Sequence, residues 1–217
     1  MNFSCDKQTI TLQAQALTVA GWTGRNLEAV QHHIDELKAL GIAPPSDVPL
    51  YYRVSPSLLT QDDHITVLGA ASSGEVEPLL VNVNDQLWLG LASDHTDRDL
   101  EAHSVAASKQ ACAKPCAAEL WRYKDVMDHT DELILSCDIE ENGQWVNYQQ
   151  GSLASIRPLK ELMDAHPLTT GSAMLCGTLG AIGGVRPAAA YRMSLQDPIL
   201  DRRIEMNYQV STLPIIN

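Results

Sequence analysis

The stretch SSGEVEPLLVNV, Ser72 to Val83, decides how the rest of the chain is read. Its second half is an apolar run, and its first half sets Glu75 and Glu77 on either side of one valine. Side chains two apart on a β-strand share a face. A strand here turns Val76 toward the core and aims both carboxylates at one spot. Two unscreened carboxylates that close repel, or one takes up a proton, at a cost on the order of a kcal/mol. A divalent cation removes the conflict, because Mg2+ and Mn2+ take hard oxygen ligands and keep positions open for water or substrate. The alternative is a strand edge whose charges face solvent and discourage aggregation, a setting that also suits Pro78.

Downstream, NDQ reads as a tight turn and QLWLGLA as a second apolar strand, after which comes ASDHTDRDLEAHSVAASKQ. Asp94 stands just past the strand, where a third carboxylate completes a site. Asp97, Arg98, Asp99 and then Lys109 follow. A helix N-terminus also favours acidic residues through its dipole and lets Arg98 pair with one of them. That reading accounts for Asp97 and Asp99 but not for the separate E-x-E strand.

Further out, TITLQAQALTVAG alternates Ile10, Leu12 and Ala14 as a strand does. RNLEAVQHHIDELKALG places Leu27, Val30, Ile34 and Leu37 on one helical stripe, with Gly41 as its C-cap. Pro44, Pro45 and Pro49 make the next segment an extended connector. DRDLEAHSVAASKQ and AELWRYKDVMD read as helices, and so does SIRPLKELMDAH with Ser155 as its N-cap. DELILSCDI and QWVNYQQG form a hairpin around Asn142-Gly143. SAMLCG and RIEMNYQVSTL close the chain as strands. The sequence has no repeats and no linker-like shift in composition, so the expected class is a β-rich α+β fold in one domain.

With 217 residues, 45% of them apolar, the chain can build a substantial core. A net charge of −12 without a Lys/Arg cluster argues against nucleic acid and against anionic membranes. No apolar run is long enough to span a bilayer, and no signal peptide is read at the N-terminus, so the expected location is cytoplasmic. Five cysteines in an odd, scattered set read as reduced thiols. Cys112 and Cys116 are four apart in CAKPC, but no second pair completes a zinc site. There is no G-x-S-x-G elbow and no Gly-rich phosphate loop after a strand.

The segments EVEPLLVNV, SDHTDRDLE and SKQ together resemble the core signature of the fumarylacetoacetate hydrolase superfamily. That signature is an E-V-E-L strand, an N-D-x-(T/S)-x-R-D-x-Q block and a later lysine. DELILSCDIEENGQWVNYQQG is similar to the family's strand-N-G-strand segment. HPLTTGSAMLCGTLGAIGGV resembles its late G-T-P-x-G turn, PLYYRVSPSLL its early P-x-x-F-x-K-P-x-S stretch, and HHIDE its H-x-x-E dyad. The chain departs from the pattern in several places. The gap between Glu77 and Asp94 is short, Ser93 and Glu101 replace Asn and Gln, the late turn lacks its proline, and Asn26 lies seven residues before His33 rather than four.

The resemblance implies a mixed β-sandwich or roll with short flanking helices, forming a single catalytic domain over 1–217. An N-terminal strand and a lid-like helix would occupy 1–45, and a β-rich core 46–217. It implies Glu75, Glu77 and Asp94 as ligands to Mg2+ or Mn2+, with Ca2+ a third candidate. His33 held by Glu36 would move a proton or activate water, and Lys109 would stabilise developing negative charge. Arg53, Arg98, Glu101, Gly177 and Thr178 would line the substrate side, Thr178 meeting a substrate carboxylate. The implied partner is a small anionic oxo or dioxo acid, cleaved at a carbon–carbon bond through a stabilised enolate, and the implied assembly is a homodimer. Decarboxylase, hydratase or isomerase chemistry uses the same enolate, and a ligand-binding member without catalysis keeps the fold alone. A cysteine hydrolase using Cys112 or Cys176 with a distant His is a rival outside the family. For the His33–Glu36 pair, the alternative is a solvated helix face.

Overall fold

Three two-residue turns fix much of the register. Asp6–Lys7, Asn84–Asp85 and Asn142–Gly143 have both central residues at positive φ, the geometry whose twist matches paired strands. The computed structural model describes residues 1–39 and 44–216, without the side chains of His33, Glu36 and Leu37. In it β1 (Asn2–Cys5) and β2 (Gln8–Thr11) pair around the first turn, and β3 (Ala16–Gly21) follows as a separate strand. After α1 (Leu27–Ala39) come β4 (Leu50–Val54) and β5 (His64–Leu68). β6 (Val76–Val83) and β7 (Gln86–Ser93) form the second hairpin and lead to α2 (Arg98–Glu101), α3 (Val105–Ala111) and β8 (Trp121–Arg122). β9 (Ile134–Glu141) and β10 (Gln144–Ser152) form the third. The chain ends with α4 (Leu159–Ala165), β11 (Ser172–Leu175), β12 (Ala190–Asp197) and β13 (Arg202–Leu213).

Two mixed sheets result. One runs β8-β7-β6-β11-β3-β4, with β11 parallel to β3 and antiparallel to β6, and the other runs β10-β9-β12-β13-β5. Leu80, Leu89, Leu91, Leu135, Ile139, Tyr148, Tyr191 and Leu195 fill the space between them. The far face of the six-stranded sheet is covered as well: Leu17, Leu79, Val81 and Trp88 pack with Phe3 of the N-terminal hairpin and with Leu12 just after it. With both faces covered, β6 is buried along almost its whole length instead of alternating.

This is the expected β-rich class, a mixed sandwich with few helices, but several elements differ from their sequence reading. TITLQAQALTVAG is two strands, because Leu12–Gln15 leaves the ladder and the Gln15 N–H bonds Gly171 O at 2.8 Å. DRDLEAHSVAASKQ is two helices, because Ser104 is a second N-cap, accepting the Ala107 N–H. AELWRYKDVMD is not an α-helix: Trp121 and Arg122 pair with β7, and Tyr123–Asp125 make one 3-10 turn. Burial of Leu120, Trp121, Tyr123 and Val126 outweighs their helical propensity there. Ser155 ends a 3-10 turn and caps nothing, because Pro158 keeps Arg157 out of the helical region and α4 starts only at Leu159. Strand β12 has no counterpart in the sequence reading. On α1, Ile34 is buried but Leu27 is 57% exposed, so the apolar stripe is shorter than its spacing predicts. The Gly41 cap lies outside the described residues. Pro78 sits on an interior strand, which removes the edge reading of EVEP.

Candidate metal centre

Strand pairing brings the carboxylates together. Val76 lies opposite Ser93 and Glu77 opposite Ala92. The ladder continues one step past β6, with the Asp94 N–H donating to Glu75 O at 2.9 Å. Glu75 is therefore cross-strand from Asp94, and Glu77 is two residues along on the same face. The residues between Glu77 and Asp94 are used up by two strands and the Asn84–Asp85 turn, which accounts for the short gap in the sequence. One oxygen from each of Glu75, Glu77 and Asp94 lies within 4.8 Å of the others. Glu77 and Asp94 are buried and Glu75 is partly so.

Cations surround this cluster. Arg98 at the start of α2 donates from Nε to Ser73 Oγ at 2.7 Å and from one amino group to Glu101 at 2.8 Å, and its other amino group pairs with Glu75 at 3.2 Å. Lys109 on α3 bonds Asp94 Oδ2. Lys114, fully buried, stands 3.1 Å from Asp94 Oδ1 and donates to His95 O at 2.5 Å. Burial works to raise the Asp94 pKa, but Lys109 and Lys114 overcome it and hold that carboxyl below the usual range. Glu77 goes the other way: burial, reinforced by Asp94, pushes it well up, against the pull of Lys109 and the Gly177 N–H. Burial also raises Glu75 despite Arg98. Burial lowers the Lys109 pKa, but Asp94 and the two glutamates outweigh it and keep the ammonium charged.

A second layer of hydrogen bonds fixes the glutamates. Buried Gln149 on β10 accepts the Val76 N–H at 2.9 Å and donates to Thr178 Oγ1 at 2.8 Å and Leu179 O at 2.6 Å. Thr178 Oγ1 donates to Val76 O at 2.7 Å, and the Gly177 N–H to Glu77 Oε2 at 2.7 Å. Gly177 has φ +101°, and a Cβ there would lie 1.7 Å from Thr23 Oγ1. Behind Asp94, His95 is buried with Nδ1 3.0 Å from the Tyr208 hydroxyl and Nε2 2.9 Å from Ser72 Oγ. Burial, then Lys114 and Arg98, pull its pKa down to about 3, so the ring is neutral.

The structure thus assembles Glu75, Glu77, Asp94, Arg98, Glu101, Lys109, Gly177 and Thr178. Arg53 is not brought in: it is exposed on β4, one residue past Tyr52, and adjacent strand residues face opposite ways. The backbones of His33 and Glu36 lie in α1, but their side chains are outside the described residues. The sequence reading missed Lys114, His95 and Gln149. Lys114 lies inside CAKPC, which was read for its cysteines, and the partners of Gln149 are 73 and 29 positions away. All five cysteines are free and buried. Burial pushes the Cys112 thiol up to about 11 and raises Cys176 strongly, the reverse of an activated nucleophile.

The site also passes a test for a cation. Its donors are hard oxygens, and all three lie within 4.8 Å of one another, close enough for one ion with bonds of about 2.0–2.6 Å to reach each of them.

Mixed sheets arranged in this way are the fumarylacetoacetate hydrolase-like fold. A protein from Yersinia pestis CO92, described as a candidate fumarylacetoacetate hydrolase family member, superposes with a TM-score of 0.66 at 15% identity, over 96% of this chain and 99% of that one. The 5-carboxymethyl-2-hydroxymuconate delta-isomerase of Mycobacterium smegmatis gives 0.65 at 15%, over 96% and 84%. A 2-keto-3-deoxy-D-arabinonate dehydratase gives 0.62 at 12%, over 97% and 78%. No curated protein matches the chain. Within this fold the chain belongs to the family described as "Protein of unknown function (DUF2848)", which matches residues 20–208.

Proposed function

We propose that the chain is an enzyme that processes a small oxo or dioxo acid at a divalent cation held by Glu75, Glu77 and Asp94. The observation that carries this reading is the convergence of those three carboxylates in a largely buried site. A bound Mg2+ or Mn2+ would supply Lewis-acid stabilisation of an enolate formed when a carbon–carbon bond breaks. The residues of the chain do the rest. Lys109 orients Asp94 and presents its remaining ammonium donors to a substrate anion. Arg98 bridges Glu75 and Glu101 by pairing with both and offsets their mutual repulsion. The Gly177 N–H and Gln149 fix the glutamates, and the inner wall of His95 and Tyr208 keeps water from behind Asp94. His33 with Glu36 on α1 is the proposed proton carrier, and α1 the proposed lid. The Thr178 hydroxyl donates to Val76 O, so the substrate carboxylate falls first to Lys109.

A second reading keeps the site and changes the reaction. Two of the similar structures are named as an isomerase and a dehydratase, and both chemistries use an enolate without cleaving a carbon–carbon bond. We retain a homodimer as the proposed assembly.

Titrating the protein with Mn2+ and following free Mn2+ by electron paramagnetic resonance tests the site. Incubating the loaded protein with acylpyruvates and oxaloacetate, followed by enol absorbance, tests the reaction. Mn2+ binding that survives Glu77→Gln unchanged would overturn the ligand set. Absence of turnover on both acids would remove the cleavage reading and leave the isomerase or dehydratase reading.

A further inference from the structure

The turn after β3 carries a residue whose backbone does not suit it. Trp22 has φ +61°, whereas most of the other non-glycine residues at positive φ are aspartates and asparagines in turns. A bulky side chain in this region is an outlier, and strain of this kind persists where the surroundings enforce it, commonly at functional sites. The enforcing contacts are visible. The Trp22 indole N–H donates to the Tyr52 hydroxyl at 3.1 Å. The Tyr52 ring lies across the end of β3, where a Cβ on Gly21 would come within 2.8 Å of it, so that position has no room for a side chain. Next along the chain, buried Thr23 packs against Gly177, the residue that holds Glu77.

This aromatic pair stands beside the carboxylate centre. Lys109 Nζ, bonded to Asp94, lies 5.7 Å from the centre of the Tyr52 ring. Trp22 and Tyr52 are both partly exposed, and Tyr52 also packs against the apolar cluster on the outer face of the six-stranded sheet. The Tyr52 ring flanks the cation that the proposed function assigns to the substrate anion, and the Trp22 indole is hydrogen-bonded to the hydroxyl of that ring.

We propose that Trp22 and Tyr52 are the specificity-determining wall of this site. The acid taken there then carries an aromatic ring beside its carboxylate. The inference rests on the proposed function for the location of the anion. Ring faces stack on planar groups and give a preference that a small aliphatic acid cannot draw on.

The test is calorimetric titration with pyruvate and with phenylpyruvate, in metal-free and in Mn2+-loaded protein, for the wild type, Trp22→Ala and Tyr52→Phe. The wild type is expected to bind phenylpyruvate about tenfold more tightly than pyruvate. Trp22→Ala is expected to bring the ratio to within about twofold, with the affinities for pyruvate and Mn2+ retained. Tyr52→Phe, which keeps the ring and frees the indole, is expected to lower the ratio about threefold. It carries the test if Trp22→Ala does not fold. An unchanged ratio in the folded variants, or a wild type that prefers pyruvate or binds neither acid, overturns the proposal. A wild type that binds no Mn2+ but keeps its preference for phenylpyruvate overturns the metal reading and supports the aromatic wall.

Discussion

The Gln149 side-chain oxygen accepts the Val76 N–H at 2.9 Å, so one residue of the five-stranded sheet fixes the peptide between the two glutamates of the other sheet. Replacing it with leucine leaves the Val76 N–H and the Leu179 carbonyl without their partner. Gln149→Leu is expected to lose about 1–3 kcal/mol of stability by urea denaturation. Its Mn2+ affinity is expected to fall about 10–100-fold. Wild-type affinity in a variant with a lowered urea midpoint would show that Gln149 supports the fold and not the site.

Glu77→Gln separates the electrostatics from the packing. Three carboxylates converge there and Glu77 is nearly fully buried, so removing one charge relieves repulsion in the metal-free protein. The expected result is a metal-free melting temperature equal to or above that of the wild type, together with loss of Mn2+ affinity by more than about 100-fold. A lower melting temperature without metal would mean that the charge is needed by Lys109 and the Gly177 N–H more than it is opposed by Asp94.

Gly177→Ala tests the close approach of two turns. The new Cβ would meet Thr23 Oγ1 and Cβ at 1.7 and 2.8 Å, on a backbone at φ +101°. A loss of about 2–3 kcal/mol is expected. Adding Thr23→Ala removes the nearer clash and should recover part of it, which a double-mutant cycle measures as a coupling. Strict additivity would place the cost in the backbone dihedral alone.

Asp197 gives a pH signature away from the centre. It is fully buried, accepts the Ile199 and Leu200 N–H groups at 3.1 Å each, and pairs with His129 and Arg202. Burial opposes its charge, but the Leu200 N–H, His129 and Arg202 prevail and hold its pKa below the ordinary value. A carboxylate lowered on folding contributes stability above its unfolded pKa of about 3.9 and loses that contribution as pH falls through the folded value. Asp197→Asn is therefore expected to be about 1–3 kcal/mol less stable than wild type at neutral pH. The difference should narrow below about pH 4. A difference that stays constant down to pH 2.5, read by chemical denaturation, would count against the charged interaction.

Some of this was legible in the sequence, for physical reasons. Glu75, Glu77 and Asp94 were readable because a two-residue period and a tight turn are local rules, and together they fix which side chains share a face. The Asn142–Gly143 hairpin was readable in the same way, from turn chemistry alone. Lys114 and Gln149 were not, since their partners are set by packing between segments far apart in the chain. The helix assigned to AELWRYKDVMD failed because propensity is a weak prior beside the burial of Trp121 and Val126. Strand β12 went unread although its signal was present: Tyr191, Met193 and Leu195 alternate with Arg192, Ser194 and Gln196 as a half-buried strand does.

Strands β3 and β11 run parallel, side by side, so both leave the sheet at the same end. That one pairing delivers Trp22–Thr23 and Gly177–Thr178 to a common rim, while the carboxylates hang from the antiparallel hairpin next door. The two exit loops are not equivalent there: Gly177 and Thr178 are tied to Glu77 and Val76, whereas Trp22 has its described hydrogen bond to Tyr52, outside the ladder that carries the charges.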